Sequence, residues 1–331
     1  MESNSVIQSE AEARNWLDLP AEVMSMILLK LGAIEILTSA QNVCSSWRKI
    51  CKDPLMWRVI DMRNSGNLYD MDHDLEIMCR HAVDRSCGQL IDINIEYFGT
   101  DELLQYITQS SNQLRRLRLA DCYDISDEGL TEAISRLPLL EHLEIFIYSF
   151  DVETLKTVGR CCPLLKWLKL IEEQYWREDM VTNKEALAIA ETMPKLRHLQ
   201  IIGNGLTNMG LQAILDGCPD LESLDLRQCF HLNLNGQLGK ECAERFKVLH
   251  LPHDRLTNGH ECTNKTIHFG DHDSEDEDSI DFSGIDHDYY DFLVDSDFLD
   301  YDDSTRINYS DYEDFTKLGL FDHDDDSMEY Y

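Results

Sequence analysis

The chain has 331 residues, 43% of them apolar, which suffices for two or so structural units with sizeable cores. Its 63 acidic residues against 29 basic ones leave a formal charge of −34, which argues against nucleic acid and anionic membranes as partners. No apolar run approaches the twenty or so residues that a membrane helix needs, and the polar, acidic start (MESNSVIQSEAEAR) is unlike a signal or transit peptide. A location in the nucleus or the cytoplasm is therefore expected. The 11 cysteines are odd in number and form no C-x-x-C, so they read as small buried hydrophobes of a reducing compartment.

Residues 1–14 are expected to be flexible, and the first folded block runs from 15 to 60. Pro20 suits the first turn of a helix, where its missing N–H has no partner to lose. Val23, Met24, Ile27, Leu28 and Leu31 then recur at three- and four-residue steps, with Gly32 as the stop. The spacing predicts a helix over 20–31. Ile36, Leu37, Ala40, Val43 and Cys44 repeat the pattern, Ser45 and Ser46 break it, and Trp47 to Ile50 come next, before Asp53-Pro54 and Trp57. Three helices this short cannot offset their chain entropy alone and need another surface.

These residues resemble an F-box, the module that docks on a Skp-type adaptor. The resemblance rests on L-P-x-E from Leu19, I-L-x-x-L from Ile27, V-C-x-x-W-R from Val43 and D-P-x-x-W from Asp53. It implies that Leu19, Pro20, Ile27, Leu28, Val43 and Cys44 face the adaptor or support that face, with Trp47 and Trp57 bracing the helices. Within the linker, 61–87, the residues Leu75, Met78, Cys79, Ala82 and Val83 mark an amphipathic helix, expected to join the F-box rigidly to the next segment of the chain.

From 88 to 252 the chain repeats. L-x-x-L-x-L or a close variant begins at Leu90, Leu114, Leu140, Leu165, Leu196, Leu221 and Phe246, at intervals of 24, 26, 25, 31, 25 and 25. Apolar helical spacing fills the gaps: Leu130, Ala133, Ile134 and Leu137; Leu155 and Val158; Leu187 and Ala190; Leu211, Ile214 and Leu215. Prolines 138, 163, 194 and 219 end those helices. The period resembles cysteine-containing leucine-rich repeats, of the kind found beside plant F-boxes, with Cys122, Asn204 and Cys229 at the ladder position. The fold class expected is thus an α/β repeat: a three-helix F-box, a right-handed solenoid of about seven units, and a disordered acidic tail.

Alternation along a strand sends the residues flanking the leucines to the concave face. One row there reads Arg116, His142, Trp167, His198 and Ser223, and the next Arg118, Glu144, Lys169, Gln200 and Asp225. The second row alternates in sign and largely compensates itself. A third row holds Phe146, Ile171 and Ile202, an expected apolar patch beside Trp167. The long interval places Tyr175 and Trp176 on an inserted loop at 172–182. Candidate target contacts are Arg116, Arg118, Phe146, Trp167, Lys169, Ile171, Trp176, His198 and Ile202.

Residues 253–331 form an exit loop and tail. Residues 271–331 hold 23 acidic residues against Arg306 and Lys317, a balance of −21, together with twelve Phe and Tyr. This composition predicts disorder. A fold-back of the tail over Arg115, Arg116, Arg118, Lys166, Lys169 and Arg197, as a weak internal competitor, is a further expectation.

Catalytic motifs are missing: there is no P-loop, G-x-S-x-G or H-E-x-x-H. His250, His253, His260, Cys262 and His268 match no closed zinc spacing, and no cofactor or metal is expected. The resemblance implies a noncatalytic substrate receptor of a Skp-cullin-F-box ubiquitin ligase, with a Skp-type adaptor, through it a cullin, and a target protein as partners. A repeat scaffold not coupled to ubiquitin transfer, or an acidic chaperone acting through the tail, would use the same elements otherwise.

Overall fold

The computed structural model describes Trp16 and residues 19–64, 73–146, 150–171 and 181–255, all within one compact unit. Its backbone is an eight-stranded parallel sheet in which spatial order equals chain order, β1 to β8. The strands are Val59–Asp61 (β1), Asp92–Glu96 (β2), Arg116–Ala120 (β3), His142–Phe146 (β4), Trp167–Ile171 (β5), His198–Ile202 (β6), Ser223–Asp225 (β7) and Val248–His250 (β8). A helix comes after each of the first seven strands: Leu75–Arg85 (α5), Asp101–Ser110 (α6), Asp127–Ser135 (α7), Val152–Cys161 (α8), Lys184–Thr192 (α9), Asn208–Gly217 (α10) and Gln237–Arg245 (α11). Strictly sequential parallel order with a helix at every crossover is the arrangement of a solenoid.

The core lies between sheet and helices. One register column runs Ile60, Ile93, Leu117, Leu143, Leu168, Leu199, Leu224 and Leu249. All but Leu249, on the last strand, are buried, as are the helix residues that meet them, such as Ile107, Ile134, Val158, Ile189 and Ile214. Helix α9 departs from the expected spacing: Ala186 and Ile189 point inward, while Leu187 is exposed. Small residues set how closely the helices approach, since a Cβ on Gly217 would stand 2.4 Å from the Ala190 carbonyl oxygen. The chain leaves β2, β3 and β6 through left-handed residues, Tyr97, Asp121 and Gly203, which turn it toward the helix layer.

The ladder is built from thiols. Cys229 Sγ donates to the Ile201 carbonyl at 3.0 Å and Cys122 Sγ to the Ala120 carbonyl at 3.2 Å, while Asn204 is buried. A second row, which the leucine spacing marks only as helix ends, has Cys162 and Cys218 donating to the Leu137 and Met193 carbonyls one repeat earlier. Burial pushes the thiols of Cys162 and Cys218 up to about 12 and about 11, which keeps them neutral donors. Helix N-termini are tied together as well: Asp101 accepts from Ser126, Asp127 from Thr154, and Asn183 from Thr207.

The N-terminal module comprises Ala21–Leu28 (α1), Ala33–Glu35 (α2) continuing through a π turn at Ile36–Ala40 into Gln41–Val43 (α3), Ser45–Cys51 (α4), and a 3-10 turn at Pro54–Trp57. Helix α1 is shorter than the predicted 20–31, because Lys30 and Leu31 bond three residues back and Gly32 adopts φ +81°. The break before α4 falls on Cys44, whose sulfur accepts the Trp47 N–H, rather than on Ser45 and Ser46.

Where the solenoid begins is the main difference from the expectation drawn from sequence. Strand β1 starts two residues after Trp57 and pairs along its whole length with β2, so eight strands are present where the leucine pattern gives seven. V-I-D is too short to show that pattern. Helix α5 buries the five residues expected of the linker helix, but it stands as the crossover helix between β1 and β2 and touches α2 and the 3-10 turn. Residues 147–149, 172–180, including Tyr175 and Trp176, and the tail from 256 lie outside the described residues.

Candidate functional site

Two surfaces carry candidate function: one on the N-terminal helices, the other on the concave side of the sheet.

In the N-terminal module, α1 is apolar on two sides. Met24 and Leu28 are buried, while a turn of about 100° per residue carries Val23 and Met26 to the side away from Leu28. Val23 and Met26 are exposed, Met26 by 67%. Leu29 and Leu31 beyond the helix are exposed, as are Val43, by 62%, and Leu55. Nine of the fifteen large apolar side chains exposed among the described residues fall between Trp16 and Val59. Apolar exposure this concentrated marks an interaction surface.

The residues picked from the sequence separate into two sets. Leu19, Pro20 and Val43 are exposed, and Ile27, Cys44 and Trp47 are half-buried. Leu28 and Trp57 are buried, so they present no surface and act through the packing they hold up. Met26, Leu29 and Leu55 are added by the structure. Met26 and Leu29 lie off the apolar stripe that the spacing marks, and two members of that stripe, Val23 and Leu31, are exposed as well.

Trp57 anchors a junction that the helical spacing does not reveal. Its indole N–H donates to the Cys51 carbonyl at 2.8 Å, and the Arg85 guanidinium lies 5.4 Å from its ring centroid. Arg85 also donates to Gln41 Oε1 at 3.0 Å, and Gln41 is itself buried. A residue of the first solenoid helix thus closes a polar network inside the N-terminal helices.

On the concave face, the first row forms an aromatic stack across three strands. The rings of His142 and Trp167 are 5.0 Å apart and nearly parallel, and those of Trp167 and His198 are 4.6 Å apart and tilted. His198 Nδ1 sits 2.8 Å from Ser223 Oγ, and burial lowers its pKa. In the second row, Arg118 pairs with Glu96 and, at 3.5 Å, with Glu144, whose other oxygen meets His142 Nε2 at 2.6 Å. Burial alone would raise the Glu144 carboxyl. The His142 hydrogen bond and the charges of Lys169, His142 and Arg118 outweigh it and hold the pKa below the ordinary value. Arg227 closes on Asp225 at 2.6 Å, and the more exposed Arg116 stands 3.7 Å from Asp92.

The expected apolar patch does not form. Phe146 lies under two cations, Arg118 at 4.3 Å and Lys169 at 4.6 Å from its ring centroid. Ile202 is 2% exposed and offers no contact, because burial alternation breaks at the end of β6. Ile171 remains half-buried. Of the six basic residues expected to meet the tail, five already face a carboxylate of the solenoid: Arg115 and Lys166 share Glu141, Arg197 faces Glu222, and Arg116 and Arg118 pair as above. Among the described residues, no group of three or more His, Cys, Asp or Glu side chains could hold a metal ion, and no helix is long and apolar enough to cross a membrane.

The F-box-like family matches residues 16–63. F-box protein SKIP19 of Arabidopsis thaliana is 55% identical over 299 residues, covering 88% of this chain and 94% of that protein. A second Arabidopsis protein, provisionally named F-box/LRR-repeat protein 22, is 50% identical over 76% of this chain and 81% of its own length. The more distant F-box protein SKIP1, also from Arabidopsis, is 29% identical over 68% of this chain and 82% of its own length.

Proposed function

The chain belongs to the plant F-box proteins with leucine-rich repeats, and from that premise we propose that it is the substrate-recognition subunit of a Skp-cullin-F-box ubiquitin ligase. The observation that carries the reading is the apolar exposure of the N-terminal helices. Val23, Met26, Leu29 and Val43 lie on a module whose own core is already closed by Leu28, Leu37 and Trp57. Such a surface suits a protein partner of apolar character, and a Skp-type adaptor is the partner that the family implies.

The solenoid then holds a target protein. Ubiquitin transfer needs target lysines kept near the charged enzyme, where tethering replaces a bimolecular encounter by a high local concentration. Continuity of the sheet from β1 and the Arg85 junction support that task, because they tie the N-terminal helices to the first strand and helix of the solenoid. The chain itself supplies no catalytic group in this scheme.

Co-purification of the full chain with a Skp-type adaptor tests the reading. Leu19→Ala with Pro20→Ala, and separately Met26→Glu, are expected to abolish adaptor binding while the circular dichroism melt stays close to that of the parent. Undiminished adaptor binding by both variants would remove the interface from this face.

A further inference from the structure

Two polar side chains at the centre of the concave face have no hydrogen-bond or ion-pair partner among the described residues. Lys169 is half-buried, and its ammonium lies over the Phe146 ring with no acceptor in hydrogen-bond or ion-pair reach. Glu144 and Asp225 act on it only through space, while burial lowers its pKa. Gln200 is its register partner on β6, and the Gln200 amide is equally unengaged. The other cations of these rows, Arg116, Arg118 and Arg227, each have a carboxylate. One row away stands Trp167, whose indole N–H is enclosed without an acceptor and whose ring is flanked by His142 and His198.

A half-buried ammonium without an acceptor is costly, and the ring beneath it compensates only in part. A ligand that brings an oxygen anion recovers this cost in a charge-assisted hydrogen bond. Gln200 projects beside Lys169 from the neighbouring strand, about 4.8 Å away, so a carboxylate that draws the ammonium off the Phe146 ring can also accept from the Gln200 amide. Glu144 and Asp225 flank the place, which disfavours a dianion such as a phosphate group and leaves a single carboxylate as the matched charge. Trp167 lies on the same face of β5, about 6.6 Å along the strand, and, with His142 and His198 over its faces, offers its ring edge to a residue beside that carboxylate.

We propose that Lys169, Gln200 and Trp167 form a recognition subsite for an aspartate or glutamate side chain of the target protein, a proposal that deepens the receptor reading above and rests on it. The test uses the full-length chain with tryptophan indole N–H resonances observed by NMR, that of Trp167 being assigned with Trp167→Phe. The probes are two blocked tripeptides, acetyl-Ala-Glu-Ala-amide and acetyl-Ala-Gln-Ala-amide. The glutamate peptide is expected to move the Trp167 resonance saturably, and the glutamine peptide to bind about tenfold more weakly. Lys169→Met is expected to remove the difference between the peptides, and Lys169→Arg to retain it. An unmoved Trp167 resonance, an equal response to both peptides, or an undiminished glutamate preference in Lys169→Met would overturn the proposal. Adaptor binding measured on the same preparations separates this failure from failure of the receptor reading, since the subsite is no part of the F-box face.

Discussion

The N-terminal helices and the solenoid use apolar residues in opposite ways. Helix α1 leaves Val23 and Met26 in solvent, whereas α7 buries Leu130, Ala133 and Ile134 and exposes no large apolar side chain. On the concave face the exposed groups are mostly charged, and they are largely neutralised in place by neighbours on adjacent strands. The first surface is incomplete without a partner. The second is stable by itself and can discriminate among partners through the few groups left unsatisfied. On the proposed reading, affinity for a constant partner and selectivity for a variable one reside in different kinds of surface within one compact unit.

Breaking the junction between the two regions gives the largest expected effect. Trp57→Ala removes a side chain that is 1% exposed, together with its bond to Cys51 and the stacking of Arg85. A loss of about 3–5 kcal/mol is expected, measured by denaturant unfolding. Arg85→Ala should cost less, about 1–3 kcal/mol, because it leaves the Oε1 acceptor of the buried Gln41 without its donor. Hydrogen exchange should then rise in 41–51 before it rises in the strands, and a uniform rise would show that the two regions do not open separately.

The comparison sharpens with acid. Glu144 has a pKa held below its ordinary value of 4.5, so its contribution to stability is present above that pH and is lost as pH falls through the lowered value. The destabilisation caused by Glu144→Gln should accordingly be full at neutral pH and shrink toward acid. A difference that grows toward acid would mean that Glu144 carries no such stabilisation. Smallest of all should be Arg115→Ala, which opens an exposed pair with Glu141: about 0 to 1 kcal/mol, fading in high salt.

How much of this was legible in the sequence depended on whether a feature repeats. Seven strands emerge from leucine spacing, because one period recurs often enough to outvote local ambiguity, and the buried face of α5 from its own helical spacing. Strand β1 was missed, since three residues beside an F-box have no neighbour pattern to confirm them. The inward turn of Ala186 and Ile189 on α9 eluded the same spacing, because the exposed Leu187 looked the better core residue. Polar links such as Gln41 with Arg85 join residues 44 positions apart and obey no period. In the candidate sites, residue type alone could not separate Leu28, which is buried, from Met26, which is exposed. Nor could it show that Phe146 would be covered by Arg118 and Lys169.

The most direct measurement is the affinity of the purified full-length chain for a purified Skp-type adaptor, compared between the parent, Met26→Glu and Lys169→Met. Strong binding by the parent and by Lys169→Met, with loss in Met26→Glu alone, is the predicted result. Equal binding by all three, or no binding by the parent, would contradict the assignment of the exposed apolar face of the N-terminal helices to the adaptor.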